Sequence, residues 1–164
     1  MTPGDITVLT DFAVALIGFS GIVIAIIIAV HGKDFAPLDH FRTFSMLMVA
    51  FGAAFGSLIP LVLGAFGIVG NDLWRLSSIF LAVVIILASM VGQTFAASKL
   101  EASVRKQLSL WVWVLFVGGN GALSVWLLLS AFLAPSPGVF VIALIWQLIL
   151  ASILFVRLVL TPRK

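Results

Sequence analysis

The chain is 164 residues long, with 63% apolar and 9% charged side chains, nine basic and six acidic residues and no cysteine. Soluble domains carry about a quarter of their residues as charges, so this composition excludes an ordinary soluble protein, and the lack of cysteine excludes disulfides, thiolate chemistry and cysteine metal sites. The formal charge of +3 acts in so apolar a chain through its placement and is not read as a nucleic-acid signal.

A hydrocarbon core about 30 Å thick needs roughly 20 apolar residues at about 1.5 Å each. Five runs are long enough: Phe12 to Val30, Phe41 to Val69, Leu73 to Ala97, Leu110 to Phe132 and Val139 to Leu160. They predict an all-α integral membrane protein, one transmembrane domain over residues 1–164 built as a bundle of five helices. The connections are too short for a soluble catalytic or ligand-binding domain.

The first run lacks the basic flank and small-residue cleavage site of a signal peptide, so it is expected to stay as a helix. It offers a packing face of Ala15, Gly18 and Gly21, one midplane hydroxyl, Ser20, and an acidic end at Asp11. Repeated around an oligomer, Asp11 makes a ring that concentrates cations. A helix cap or an ion pair with Arg75 is the plainer reading. In the following loop His31, Asp34, Asp39 and His40 match no metal-binding spacing, and Asp39 reads as the N-cap of the second helix. No metal or cofactor is expected.

In the second helix Gly52, Gly56, Pro60 and Gly64 recur every four residues, a stripe along which another helix can approach closely. Pro60 cannot donate to the Gly56 carbonyl, which predicts a kink and a free acceptor near Ser57. The third helix follows a tight Gly70-Asn71-Asp72 turn and is apolar all round over residues 79–88, which suits lipid or a packing support. The stretch SKLEASVRKQL, residues 98–108, reads either as a helical extension on the membrane surface or as a solvated linker.

The fourth helix holds VGGNGALS, residues 117–124. Two accounts fit Gly118, Gly119 and Gly121 around Asn120: a flat surface for another helix, or a locally unwound stretch lining a hydrated cavity. The fifth helix follows a short Pro-containing turn, and the hairpin register places Gln147 opposite Ser124, suggesting a direct hydrogen bond.

The basic residues sort the connections. Lys33, Arg42, Lys99, Arg105, Lys106, Arg157, Arg163 and Lys164 fall on one side of a five-span bundle, and only Arg75 on the other. The positive-inside rule then places the N-terminus outside and the C-terminus in the cytoplasm. Trp74, Trp111 and Trp113 fall at helix ends, where indole rings prefer the headgroup level. Counting at about 1.5 Å per residue, Ser20, Ser124 and Gln147 share one level, with Asn120 and Ser57 about a turn deeper. No ionisable residue lies in this layer, which argues against a proton relay, a voltage sensor or an intramembrane hydrolase.

The five-helix plan and Leu144-Ile145-Trp146 are loosely similar to the translocator-protein family, but the chain lacks that family's Trp- and Pro-rich loop signatures and has no tyrosine. In GFSGIVIAI (18–26), Arg42, SLIP (57–60) and LWRLSS (73–78) it resembles a group of short bacterial multi-pass membrane proteins. That resemblance implies a bacterial inner-membrane protein and brings no activity with it. The leading expectation is a homo-oligomeric ion channel. Its polar layer is Asn120, Gly118, Gly119, Gly121, Ser57, Gln147, Ser124 and Ser20; its outer mouth is Asp11, Asp72 and Arg75; and Gly52, Gly56, Pro60, Gly64, Gly18 and Gly21 pack or hinge the helices. The alternative is a non-conducting subunit that binds another membrane protein. With no nucleophile and base at one depth, an enzyme is not expected.

Overall fold

A computed structural model describes residues 37–91 and 114–160, together with Val8, Thr10, Asp11, Val14, Ala15, Ile17, Gly18, Gly21, Ile22, Ala25, Ser98 and Leu100. Among the described residues there are helices and turns and no strand. Helix α1 spans Pro37–Ala65 and α2 spans Gly70–Ile85, continuing as a π-helix over Ile86–Val91. A second π-helix, Val114–Gly118, leads into α3, Gly119–Leu133, and α4 spans Pro137–Leu160.

Four of these helices are long and apolar enough to cross a membrane, so the chain is a multi-pass membrane protein. The first predicted span, Phe12 to Val30, lies for the most part outside the described residues, as does the surface stretch 98–108. Residues from Val8 to Ala25 that are described have helical backbone.

The helix ends differ from the sequence expectation for local reasons. Helix α1 begins at Pro37, where a ring with fixed φ and no N–H suits a first helical position, so Asp39 sits inside the first turn and is not the N-cap. At its other end the chain turns over residues 66–69, with Gly67 at φ 80° and Gly70 at φ 65°, conformations that cost any side chain-bearing residue. The turn therefore precedes Gly70, and the predicted Gly70-Asn71-Asp72 turn is the first turn of α2. The helix passes through Pro60 without a break.

The helices alternate in direction. Neighbours in space are α1 with α2, α2 with α3, and α4 with α1 by extensive contact, while the α3–α4 seam is the least extensive side of the ring. Helix α2 is thus a central packing element: Leu81, Ala82 and Ile85 are buried, and only Phe80, Val83 and Leu87 among its large apolar residues face outward. One cluster joins these residues to Leu123, Leu127, Phe140, Ala143 and Leu144. A second joins Met46, Val49 and Ala50 of α1 to Phe116, Leu150, Ala151 and Leu154. Ile17 packs on the α1–α4 groove formed by Ala53, Ala54 and Leu148.

Trp74 lies near the start of α2, as expected, with its ring turned into the bundle. Only 7% exposed, it lies in the first cluster against Phe140, ring centroids 5.9 Å apart, where a tilted aromatic pair contributes about 0.5–1.5 kcal/mol beyond area burial. The glycine stripe of α1 also divides. A Cβ on Gly56 would lie 2.7 Å from Leu81 Cδ1 and 3.3 Å from Leu144 Cδ2, whereas one on Gly64 would meet nothing within 4 Å. Gly56 is where α2 and α4 close on α1, and Gly64 is not part of that contact. Gly56→Leu is therefore expected to lower stability in detergent by about 1–3 kcal/mol through overpacking. Gly64→Leu should leave the thermal midpoint essentially unchanged in the same measurement.

Candidate functional site

Four serines, Ser45, Ser57, Ser124 and Ser152, show one way in which this bundle handles a hydroxyl. Each donates to a carbonyl of its own helix three or four residues back, at 2.7 to 2.8 Å, a solution open to any helical serine. An amide side chain is larger and holds two donors and an acceptor, so it needs a partner from outside its helix. Asn120 on α3 and Gln147 on α4 solve this together: Gln147 Nε2 donates to Asn120 Oδ1 at 2.9 Å, with the two residues 1% and 0% exposed.

This pairing corrects the expected register. Gln147 meets Asn120, one turn along from Ser124, and Ser124 Oγ instead donates to the Asn120 main-chain carbonyl at 2.8 Å. Counted from the observed helix ends, Leu133 and Pro137, Gln147 still falls nearer Ser124 than Asn120, so the position of the turn does not account for the pairing. A bond of this type inside a membrane contributes about 0.6–2 kcal/mol.

The glycines beside Asn120 are helical: α3 begins at Gly119, and Gly118 ends the π-turn. The stretch is not unwound. Gly119 takes the flat-surface role, since a Cβ there would lie 2.6 Å from Trp146 Cζ2 and 3.3 Å from Cε2. The indole of α4 thus lies against bare backbone of α3, one residue before the amide pair on each helix. Gly118 is exposed and a Cβ there would come no closer than 4.0 Å to Val114 Cγ1; Gly121 is half-buried.

Ser57 is 1% exposed and is bridged to the N-terminal residues: Thr10 Oγ1 donates to Ser57 Oγ at 2.7 Å. That partner was not read from the sequence, and no pattern around Thr10 marks it. Ser20 lies outside the described residues. Gly18 and Gly21 have nothing within 4 Å of an added Cβ, while such a Cβ on Gly52 would reach Val84 Cγ1 at 3.7 Å. Pro60 is buried within α1.

At the end of the bundle that holds both turns, Arg75 Nε donates to the Ala131 carbonyl at 3.1 Å, and its Nη1 pairs with Asp72 Oδ1 at 3.4 Å. The expected partner Asp11 is exposed on the N-terminal residues. Both members of the Asp72–Arg75 pair are substantially exposed, so it contributes at most about 1 kcal/mol; the carbonyl bond ties α2 to the last turn of α3. Among the described residues no cluster of metal-ligand types occurs.

What remains is a set of polar atoms that the fold leaves over. Thr43 Oγ1, Ser77 Oγ, Ser78 Oγ, Asn120 Nδ2 and Trp146 Nε1 are buried without a hydrogen-bond partner. At about 1.5 Å per residue, Ser77 and Ser78 lie about 11–12 Å along α2 from Gly70, Asn120 about 20 Å along α3 from Leu133, and Thr43 about 33 Å along α1 from Ala65. They thus lie at three different distances from the end of the bundle that holds both turns. No protein-family model, curated protein or solved structure matches the chain. The geometry is therefore the sole basis for a functional reading.

Two substitutions separate the roles of the neighbouring glycines. Gly119→Ala is expected to destabilise by about 1–3 kcal/mol, because the indole ring cannot yield as a flexible chain end would, and Gly119→Ala combined with Trp146→Phe should recover most of that loss. Gly118→Ala should be neutral or stabilising by up to about 1 kcal/mol. Thermal unfolding of the purified variants in one detergent checks all three.

Proposed function

We propose that the chain is a small channel or pore of the bacterial inner membrane whose conducting path runs along the α3–α4 seam inside each subunit. The observation that carries this reading is the pair of buried, unpartnered donors Asn120 Nδ2 and Trp146 Nε1 on the least extensive side of the helix ring. In hydrocarbon an unpaired polar group costs several kcal/mol, and a bundle built only for stability removes that cost by replacing the residue with an apolar one. Ser77 and Ser78 on α2 and Thr43 on α1 are further buried hydroxyls without a partner.

The burial of Asn120, Ser57 and Gln147 moves the path from between subunits to within one. Homo-oligomerisation then uses the faces left open, Gly18, Gly21 and Gly64. A fifth span fits this arrangement: Thr10 meets Ser57 and Ile17 meets Ala53 and Ala54, so the N-terminal residues run antiparallel to α1. With five spans the basic residues fall on the cytoplasmic side and the N-terminus lies outside.

The same open glycines support a second reading, a non-conducting subunit whose small-residue faces receive another membrane protein. Flux through reconstituted liposomes decides between them. The wild-type protein is expected to pass ions, and Asn120→Leu with Gln147→Leu, which removes both amides and leaves neither orphaned, should abolish the flux while keeping the thermal midpoint close to wild type. A folded wild-type protein that passes no ion, and that crosslinks in cells mainly to a different polypeptide, supports the second reading.

A further inference from the structure

We infer that a groove along the lipid-facing side of α4 seats one acyl chain of an anionic phospholipid, whose headgroup phosphate is held by Arg157. The inference needs only that the chain spans a membrane and is independent of the pore reading.

The walls define the ligand's body. An open groove of about 680 Å³ runs along α4 from Ile145 to Arg157, with Val8 of the N-terminal residues also lining it. Ile145, Ile149 and Ile153 recur every four residues and so form one stripe along the helix. With Val156 they are between 39% and 49% exposed. Ser152 is a polar side chain in this wall, but its Oγ donates to the Leu148 carbonyl at 2.8 Å. Up to Arg157 the groove therefore offers hydrocarbon, and among the described residues no acidic side chain lines it.

Depth sets the length. At about 1.5 Å per residue, Ile145 is about 12 Å and Arg157 about 30 Å along α4 from Pro137. In a hydrocarbon core about 30 Å thick, the groove starts near mid-bilayer and ends where headgroups begin, the course of one acyl chain in one leaflet. A helix of a second copy or of another protein would run the full thickness, and helices in membranes approach closely on small residues. This stripe presents isoleucine and valine instead.

Charge selects the headgroup. Arg157 is half-buried at the end of the groove, and a guanidinium carries five donors in a fork that suits phosphate, so it can bind one alongside another partner. From Pro137 to Lys164 the chain has Arg157, Arg163 and Lys164 and no acidic residue. A net negative headgroup is thereby favoured over a zwitterionic one.

The test is native mass spectrometry of the full chain in detergent, titrated with phosphatidylglycerol or with phosphatidylcholine of the same acyl chains. Wild type is expected to retain one phosphatidylglycerol per chain at concentrations where phosphatidylcholine is lost. Arg157→Gln should weaken phosphatidylglycerol about fivefold and leave phosphatidylcholine unchanged, while Arg157→Lys, which keeps the charge, retains most of the preference. Ile149→Trp, which fills the groove, should lower retention of both lipids, and Val125→Trp, on an exposed face of α3, should lower neither. Arg157→Gln and Ile149→Trp act on separate parts of the site, so either one, folded by circular dichroism, decides. Equal retention of the two lipids by wild type, or a preference that survives Arg157→Gln, overturns the headgroup contact. Several weakly held lipids indifferent to Ile149→Trp overturn the groove, and a wild-type dimer that Ile149→Trp splits into monomers overturns the lipid in favour of a second copy.

Discussion

A buried amide in a membrane bundle has nowhere to send its hydrogen bonds except to protein or to whatever enters the seam. The Gln147 to Asn120 bond is the point on which the rest of this structure turns. It sets the register of α4 against α3, and with that register Trp146 falls on Gly119, which has no side chain to resist it. Helix α3 is meanwhile held against α2 by Leu81, Ala82 and Ile85 and by the bond from Arg75 to the Ala131 carbonyl. The seam is thereby clamped from one side and bonded at one level, yet it stays the least extensive contact in the ring.

The bond does not satisfy the groups it joins. Of the two bonds an amide pair can exchange only one is made, from Gln147 Nε2 to Asn120 Oδ1, and Asn120 Nδ2 and Trp146 Nε1 have no protein acceptor. Ser45, Ser124 and Ser152 bond back to their own helices, whereas Ser77, Ser78 and Thr43 share with Asn120 Nδ2 the lack of a partner. The contrast matters more than the presence of polar residues. A serine that folds back costs the membrane little, whereas an orphaned N–H is a standing cost of several kcal/mol that an occupant of the seam can remove. The π-turn over Val114–Gly118 sits directly before this crossing, a kind of irregularity that recurs at functional sites.

The sequence made the helices legible because length and apolarity alone decide whether a segment spans a bilayer. Helix α1 continues through Pro60, as the unbroken apolar run implied. Other features were hidden for physical reasons. Helix ends depended on Pro37 and on the two positive-φ glycines, Gly67 and Gly70, which composition windows do not weigh. The partner of Gln147 was misjudged because equal counts from the turn do not say which group a long amide side chain reaches. Trp74 sits near the helix end that the sequence indicated, but its packing against Phe140 was not visible there. The glycines of α1 looked equivalent in sequence, and only the positions of Leu81 and Leu144 distinguish Gly56 from Gly64. Asn120 itself was visible as an anomaly, but its partner was a matter of register.

The central claim, that the Asn120 crossing is a wet path and not dry packing, is open to a direct measurement because the chain has no cysteine. Asn120→Cys and, as a lipid-facing control on the same helix, Val125→Cys introduce single thiols that can be probed in membranes with silver ion, a small aqueous thiol reagent. The account expects Asn120→Cys to react readily from water and Val125→Cys to stay protected. Protection at both positions, with the Asn120→Cys protein folded, would contradict it.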